Sequence, residues 1–445
     1  MGVLLQAFYW NCPADETQEG TWWSFVASRL QQLKATGFTA LWLPPAQKAS
    51  VVESMGYDPY DYYDLGDFEQ KGGVKTWFGN SAELRNLIQS AHDHGLGVYA
   101  DLVLDHNYGA DGLEFNPLIK EERPTLFLPA SGLFERNWEC FHPCRYESFD
   151  DMSFGDMPDL CHRNPYVYAE IVRLAQWMIE RIGFDGFRFD FVKGYAPWMI
   201  KAIAELRYLD KSEVAFRPFC VGECWDGERT IDDWLGAVNA FIDNPVSAFD
   251  FPLHFRLKSL CDVYGYSLRN LSAPGTVMQD HPAQAVTFVD NHDTIRDAST
   301  AVLNEKLLAY AFILTHEGYP SVFWLDYFNY GLAASGSPNG IDALVMAHEQ
   351  YAGGTTDVLF VDDDLYIMQR NGYTDQPGLL FVINNRGDEW RGATVTTRWA
   401  NTRFEPVAWN GRDQNPPRSK ETSIDGISDF YAAPRGYAVY VPRPV

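Results

Sequence analysis

Residues 187–194 read Phe187-Arg188-Phe189-Asp190-Phe191-Val192-Lys193-Gly194. Alternate side chains of a β-strand point to the same face, so Arg188 and Asp190 are expected to lie side by side. A neighbouring guanidinium keeps an aspartate ionised. This segment therefore predicts a buried strand that ends in a charged site.

Similar apolar segments alternate with amphipathic segments of helical length, a pattern typical of βα units around a parallel sheet. We place strands near residues 3–10, 39–44, 97–104, 186–191, 218–223, 247–251, 285–290 and 320–325. Helices between them include 81–94, 166–182 and 304–315. Eight units in one chain predict an α/β protein built on a closed (β/α)8 TIM barrel.

Two regions interrupt this alternation. Residues 107–158 are rich in Gly, Pro, Asp and aromatic residues and lack helical periodicity, which predicts a domain inserted after the third strand. After about residue 351, short alternating runs separated by turn residues predict a C-terminal antiparallel β-sandwich. The predicted domains are the barrel at 1–106 and 159–350, the inserted domain at 107–158 and the sandwich at 351–445.

Charged side chains follow four predicted strands, at the end where barrel enzymes carry their catalytic groups. Besides the stretch quoted above, these ends are Asp101-Leu102-Val103-Leu104-Asp105-His106, Val221-Gly222-Glu223-Cys224-Trp225 and Phe288-Val289-Asp290-Asn291-His292-Asp293. A single acid at a strand end is more often a helix cap or one half of an ion pair. Four such ends on one rim favour a catalytic site.

Glycoside hydrolysis needs a proton donor and a carboxylate on opposite sides of the anomeric carbon. Asp190, held ionised by Arg188, suits the role of nucleophile. Glu223 follows an apolar strand and has Cys and Trp neighbours. Apolar surroundings favour a protonated carboxyl group, which suits a general acid that later acts as a base.

These segments closely resemble the ordered sequence regions of glycoside hydrolase family 13, the α-amylase family, over essentially the whole chain. The resemblance also covers the segments 6–10 (Gln-Ala-Phe-Tyr-Trp), 55–61 (Met-Gly-Tyr-Asp-Pro-Tyr-Asp) and 183–186 (Gly-Phe-Asp-Gly). The segments 193–195 and 285–288 are most similar to archaeal and plant-type members. The resemblance implies retaining hydrolysis of α-1,4-glucosidic bonds within starch, glycogen and malto-oligosaccharides.

The resemblance also implies a role for each matching position. Asp190 would be the nucleophile, Glu223 the acid/base and Asp293 the third carboxylate, which orients sugar hydroxyls. The implied substrate-binding residues are Tyr57, His106, Arg188, Lys193, Trp225 and His292. If the enzyme retains configuration, the carboxyl groups of Asp190 and Glu223 should lie roughly 5–5.5 Å apart.

A structural calcium ion is a further implication of the resemblance. Its side-chain ligands would be Asp105, Asp150 and Asp159, with backbone carbonyls from Met152 and Gly194. Oxygen ligands are those that calcium prefers. Asp105 stands where most relatives carry Asn, so the extra charge either tightens cation binding or forms an internal ion pair.

Residues of the inserted domain could also bind a second metal, zinc. Cys140, His142, Cys144 and Cys161 supply thiols and an imidazole, which are zinc ligands. Glu147 stands where a second His is expected from the resemblance. A disulfide or ordinary buried thiols explain these cysteines equally well.

The charge and hydrophobicity of the chain limit the kinds of molecule that it can bind. The formal net charge of −25 repels nucleic acid and anionic membranes, so we expect neither as a partner. No apolar run is long enough for a membrane span, and no signal peptide is recognisable, so we expect a cytoplasmic protein or a processed secreted form. We expect a monomer that binds an α-glucan.

The sequence leaves two alternative functions open. A transglycosylase or maltodextrin-processing enzyme of the same family would use the same three carboxylates. A non-catalytic glucan-binding protein would be expected to lack one of them, whereas all three are present. The C-terminal residues Trp390, Trp399 and Trp409 are either core residues, which we favour, or part of a starch-binding surface.

Overall fold

The computed structural model describes residues 2–12, 20–149, 152–209 and 214–443. Eight parallel strands form a closed barrel in which each strand lies beside its neighbours in chain order. They are Leu4–Gln6, Ala40–Trp42, Gly97–Leu102, Gly186–Phe189, Phe219–Gly222, Ser247–Phe249, Ala285–Phe288 and Tyr319–Phe323. The predicted barrel is therefore confirmed. Most strands end before the predicted segments do, and residues such as Asp190, Glu223 and Asp290 therefore lie in loops just beyond the strands.

Helices connect the barrel strands, as the alternating pattern predicts. The α-helices are Trp22–Ala27, Leu30–Thr36, Ser81–Asp93, Pro165–Trp177, Pro197–Ala204, Glu228–Val238, Phe251–Asp262, Val277–Asp280, Lys306–Ile313 and Ile341–Tyr351. Short 3-10 helices lie at Trp138–Cys140, Leu268–Leu271 and Thr294–Arg296, and π-helical turns at Met178–Ile182 and Leu325–Asn329. No helix within the described ranges is long and apolar enough to cross a membrane.

The helix Ser81–Asp93 illustrates how local sequence sets these elements. Asn80 accepts a hydrogen bond from the Glu83 N–H at 2.9 Å, and the Glu83 carboxylate accepts one from the Asn80 N–H at 2.9 Å. This capping box satisfies two backbone donors at the start of the helix. The buried residues Leu84, Leu87, Ile88 and Ala91 follow a helical period, so one face of the helix packs inward.

The described chain forms two compact units, residues 7–34 with 39–249, and residues 1–6 and 35–38 with 250–445. We call the first of these the 39–249 unit; it contains the second to sixth barrel strands. We call the second the 250–445 unit; it contains the first, seventh and eighth barrel strands and the C-terminal sheets.

The region between the third and fourth strands is an irregular excursion of the 39–249 unit. It contains the hairpin Gly112–Asn116 and Glu121–Leu126, and an isolated β-bridge joins His106 to Asp159. Two short antiparallel pairs lie elsewhere in this unit, at Lys48–Ala49 with Pro59–Asp61 and at Tyr208–Leu209 with Ala215–Phe216. The limits 107 and 158 of the inserted domain stay predictions.

The C-terminal region consists of two antiparallel sheets. The larger has the strand order Thr356–Val361, Leu365–Arg370, Leu379–Asn384, Gly436–Arg443, Arg403–Asn410 and Lys420–Glu421, and the smaller pairs Arg391–Thr396 with Ile427–Ala432. Both contribute to one buried cluster, with Leu380 and Phe404 from the larger sheet and Phe430 from the smaller. Trp399 and Trp409 pack against this cluster, in agreement with the core interpretation.

Candidate active site

Arg188 is the centre of a cluster of carboxylates in the 39–249 unit. Its guanidinium lies 2.8 Å from Asp101, 2.7 Å from Asp190 and 2.9 Å from Glu223. Arg188 is 1% exposed, whereas Asp190 and Glu223 are 7% and 8% exposed. The predicted side-by-side arrangement of Arg188 and Asp190 is present, and the same cation also reaches Glu223.

Asp101 is a member of this cluster to which the sequence analysis gave no role. It pairs in register with Arg188 on the adjacent strand, and its carboxylate accepts hydrogen bonds from Trp42 Nε1 at 3.0 Å and Tyr57 Oη at 2.9 Å. Burial raises the pKa of Asp101 to about 7, although the Arg188 ion pair opposes this. Its position at a strand end was a signal that could have identified it.

The backbone that follows Asp190 is held in an unusual conformation. Phe191 has φ of +44°, in the left-handed region that bulky residues rarely adopt. Its N–H donates to Glu223 Oε2 at 3.1 Å. The residue after the predicted nucleophile therefore fixes the predicted acid/base. Such conformations cost about 1–3 kcal/mol and cluster at functional sites.

Tyr57 and His106 lie beside the carboxylate cluster. The Tyr57 ring stacks on Trp10 at 6.0 Å, and the Arg188 guanidinium lies 5.8 Å from the ring centre. His106 contacts Asp105 Oδ2 at 3.0 Å through Nδ1 and the Tyr57 carbonyl at 2.9 Å through Nε2. Both ring nitrogens are thus engaged, so a sugar that binds His106 must displace one of these contacts.

The predicted acceptor-side residues Lys193 and Trp225 contact each other. Lys193 Nζ donates to the Trp225 carbonyl at 2.7 Å and lies 3.1 Å from the Asp226 carboxylate. Trp225 itself is partly exposed. The ammonium therefore fixes the loop that follows Glu223.

The loop after the seventh strand carries Asp293 and His292 in the 250–445 unit. Gln6 Nε2 donates to His292 Nδ1 at 3.0 Å, and His292 Nε2 lies 3.2 Å from Asp293 Oδ2. The Asn291 side chain accepts a hydrogen bond from the Asp293 N–H at 2.9 Å. The Asp293 side chain is 26% exposed, so it retains access to solvent.

Asp290 anchors this loop, a role that the sequence analysis did not assign. Its carboxylate accepts hydrogen bonds from the Thr294 hydroxyl at 2.8 Å and the Val302 N–H at 3.2 Å. Lys306 Nζ lies 2.7 Å from Asp290 and 2.5 Å from Asp326. This buried lysine is thus shared by two carboxylates directly behind the Asp293 loop.

Two of the predicted calcium ligands have free oxygen atoms in the 39–249 unit. Asp105 Oδ1 and Asp159 Oδ1 are buried and have no hydrogen-bond partner among the described residues. The Gly194 backbone lies so close that a Cβ atom there would be 1.9 Å from Asp105 Oδ1. Buried, unpaired carboxylate oxygens are costly without a cation, so this donor set fits calcium. Asp150 lies outside the described residues, and Met152 and Gly194 stay predicted ligands.

Asp105 also forms the internal ion pair considered as an alternative, because its second oxygen contacts His106. Burial raises the pKa of Asp105 to about 6. The pKa of His106 is also raised, because the Asp105 and Tyr57 contacts outweigh the effect of burial. One oxygen of Asp105 therefore serves the histidine and the other remains for a cation.

The possible zinc ligands are brought together only in part. His142, Glu147 and Cys161 place ligand atoms within 4.8 Å of one another. The Cys144 thiol contacts Cys161, one of these three residues, whereas Cys140 is not a member of the group. All seven cysteines are buried free thiols, so the structure does not contain the disulfide considered as an alternative.

Comparisons with known proteins agree with this architecture. The family described as "Alpha amylase, catalytic domain" matches residues 13–324. An α-amylase of Geobacillus stearothermophilus is 31% identical over 99% of this chain and 87% of its own. The cytoplasmic α-amylase of Escherichia coli K12 is 29% identical over 100% of this chain and 99% of its own. The crystal structure of an α-amylase from Geobacillus thermoleovorans, complexed with acarbose, superimposes with a TM-score of 0.70 at 20% identity and covers 100% of this chain and 98% of that one.

A barrel with carboxylates clustered at its strand ends is the architecture of the barrel glycoside hydrolases. Within that class, this chain belongs to the α-amylase family. It is an α-amylase-type glycoside hydrolase that cleaves α-1,4-glucosidic bonds within α-glucans.

Proposed function

We propose that Asp190 and Glu223 carry out this hydrolysis with retention of configuration. The observation that supports the proposal is the shared contact with Arg188, which places both carboxyl groups beside one guanidinium. Two carboxyl groups at close range are what a retaining glycosidase needs. Their separation of roughly 5–5.5 Å stays a prediction.

In the first step, an oxygen of Asp190 bonds to the anomeric carbon while the bond from that carbon to the glycosidic oxygen breaks. Glu223 gives its proton to the departing oxygen. In the second step, Glu223 takes a proton from water, and the water oxygen displaces Asp190. Arg188 stabilises Asp190 as an anion when it departs.

Asp293 and His292 are proposed to bind sugar hydroxyl groups. The contacts with His292 and with the Arg296 guanidinium, each at 3.2 Å, hold the Asp293 carboxylate. The Asn291 side chain fixes the Asp293 backbone N–H, and the partial exposure of the carboxylate leaves it accessible to a ligand. Tyr57 is proposed to offer its ring to a sugar, and Lys193 and Trp225 to bind the acceptor side.

The test is proton NMR of the purified protein acting on maltoheptaose, with the anomer released first as the measured quantity. We expect α-anomers first.

Asp190→Asn should reduce kcat by at least about 10⁴-fold while the unfolding temperature stays close to that of the wild type. Near-normal turnover by pure Asp190→Asn protein, or β-anomers released first, would contradict the assignment. Products longer than the substrate would indicate the transglycosylase alternative.

We also propose a structural calcium ion held by Asp105 and Asp159, with Asp150, Met152 and Gly194 as further ligands. When bound, the ion supplies positive charge that compensates the buried carboxylates. The residues themselves connect two distant parts of the chain, since Asp159 forms a bridge with His106. The ion is therefore expected to stabilise the excursion between the third and fourth strands.

Chelation tests the calcium proposal. After exhaustive treatment with EDTA, the unfolding temperature should fall by at least about 5 °C and recover with added calcium. Elemental analysis of the untreated protein separates calcium from zinc at His142, Glu147 and Cys161. Asp159→Asn should show a smaller response to EDTA than the wild type. An unchanged unfolding temperature in a protein shown to be metal-free would contradict the proposal.

A cytoplasmic location and a monomeric state complete the proposal. The location is supported by the similarity to the Escherichia coli relative, which is named a cytoplasmic α-amylase. Fractionation of producing cells and light scattering of the pure protein test these two points. Activity confined to the medium, or the mass of a dimer, would contradict them.

A further inference from the structure

Trp390 differs from the other two tryptophans considered for the C-terminal region. Trp399 and Trp409 pack against the core of the two C-terminal sheets, and Trp390 is not in that cluster. Trp390 is partly exposed and precedes the strand Arg391–Thr396 directly. Trp390 is therefore not a residue of the domain core.

A cavity of about 540 Å³ lies at Trp390, within the 250–445 unit. This volume is in the usual range for small-ligand sites. Two partly exposed aromatic residues, Trp390 and Tyr431, line it together with polar side chains. The polar residues of the lining are Asp413, Asn415, Arg418, Lys420 and Asp429.

Hydrogen bonds fix the aromatic walls of this cavity. Trp390 Nε1 donates to Asp413 Oδ2 at 2.6 Å, which holds the indole plane. Asn415 Nδ2 donates to the other oxygen of Asp413 at 2.8 Å. Tyr440, on the strand Gly436–Arg443, donates from Oη to the Tyr431 carbonyl at 2.7 Å. The site is thus preorganised, which lowers the entropy cost of binding.

The charges of the cavity balance, although the chain as a whole is strongly acidic. Asp413 and Asp429 are opposed by Arg418 and Lys420, and Lys420 Nζ lies 2.9 Å from Asp429. The Lys420 ammonium also lies 4.9 Å from the centre of the Tyr431 ring. A lining of this kind gives no advantage to an anion or a cation. It suits a neutral ligand that offers many hydroxyl groups.

We propose that this cavity, the Trp390 site, binds a segment of an α-1,4-glucan chain outside the catalytic centre. The indole face attracts the C–H groups of a sugar ring, since an aromatic ring carries a negative face. Asn415, Arg418 and the carboxylates exchange hydrogen bonds with the sugar hydroxyls. The site holds the protein on insoluble or branched substrate while the barrel cleaves another segment. The inference rests on the α-glucan specificity of the enzyme.

Adsorption to granular starch tests the Trp390 site. The measurement uses the Glu223→Gln protein, in which hydrolysis is blocked, with and without Trp390→Ala. We expect Trp390→Ala to weaken adsorption by about tenfold, as is usual when an aromatic anchor of a binding surface is truncated. Trp390→Phe retains a ring but loses the bond to Asp413, so its loss should be smaller. Tyr373→Ala is the matched control, because Tyr373 is a 68% exposed aromatic residue of the same region outside the cavity.

Hydrolysis of maltoheptaose, measured with Glu223 intact, separates this inference from the catalytic assignment. Trp390→Ala should leave kcat/KM on this short substrate within about twofold of the wild type. Unchanged adsorption by Trp390→Ala and Trp390→Phe would overturn the proposal. An equal loss in Tyr373→Ala would also overturn it, because adsorption would then depend on any surface aromatic residue. An equal loss of adsorption and of maltoheptaose hydrolysis would also contradict the proposal, because the substitution would then disturb the whole enzyme and not a separate binding site.

Discussion

Three carboxylates share the Arg188 guanidinium. It contacts Asp101, Asp190 and Glu223 at 2.7–2.9 Å. The planar, forked geometry of arginine makes three such contacts possible, and a lysine ammonium cannot reproduce them. The position of Asp190 therefore depends on the residue type at position 188 and not only on its charge.

Arg188→Lys should reduce kcat/KM on maltoheptaose by about 100-fold, because small displacements of catalytic groups have effects of this size. The reduction should be mainly in kcat, since Arg188 is buried beneath the reacting groups. Steady-state kinetics measure it. The matched control is Arg173→Lys, in which an exposed guanidinium pairs with Glu170. A kcat within threefold of the wild type for Arg188→Lys would contradict this interpretation.

At the scale of elements, the fifth barrel strand and the helix after it are in close contact below Glu223. A Cβ atom on Gly222 would lie 2.3 Å from the Trp234 ring, which belongs to the helix Glu228–Val238. The strand end therefore approaches the helix more closely than any side chain permits. Because Gly222 precedes the predicted acid/base, helix packing and catalytic geometry are coupled at this point.

Gly222→Ala should lower the free energy of unfolding by about 1–3 kcal/mol, because the extra methyl group overpacks the contact with Trp234. It should also lower kcat, since the strand end that carries Glu223 must move. Denaturant unfolding and steady-state kinetics measure the two effects. Gly236→Ala is the control on the same helix, where a Cβ atom meets open space. That variant should be more stable by about 0.5–1 kcal/mol, and equal behaviour of the two variants would contradict the argument.

At the scale of the whole molecule, His316 connects the end of a barrel helix with the C-terminal sheet inside the 250–445 unit. Its Nδ1 donates to the Phe312 carbonyl at 2.8 Å, and its Nε2 accepts a hydrogen bond from Tyr366 Oη at 2.9 Å. The ring is also stacked on Phe312 at 3.8 Å. Burial lowers the pKa of His316 to about 4, despite the nearby Glu317 carboxylate.

This lowered pKa predicts loss of stability in acid. The unfolded chain takes up a proton on the histidine below about pH 6.5, whereas the folded protein resists it down to about pH 4. The contribution of His316 to the free energy of unfolding is therefore fully present above about pH 6.5 and is lost as the pH falls towards about 4. Between these values, the free energy of unfolding of His316→Gln should depend less on pH than that of the wild type, by about 1.4 kcal/mol per pH unit. Denaturant titrations at several pH values measure the slopes, and parallel curves would contradict the prediction.

The barrel was predictable from the sequence because each strand is a short apolar run followed by polar residues, and the helices between them have a regular apolar face. Contacts between distant residues were not. The partners of Asp101 and the left-handed backbone of Phe191 depend on packing between segments that are distant in the chain. The contact between Asp290 and Lys306 is likewise made across 16 residues. The predicted Glu223 environment was incomplete for the same reason, because its contact with Arg188 comes from the neighbouring strand. The calcium ligands and the domain limits stay predictions.

The sharing of Arg188 among three acids has a consequence for how the enzyme responds to acidity. One cation serves Asp101, Asp190 and Glu223, and burial raises the pKa of Asp101 to about 7, so the net charge around Arg188 changes near neutral pH. The pH dependence of hydrolysis then includes a contribution from Asp101, which never touches the sugar in the proposed mechanism. A substitution at Asp101 would therefore change the shape of the rate-versus-pH curve.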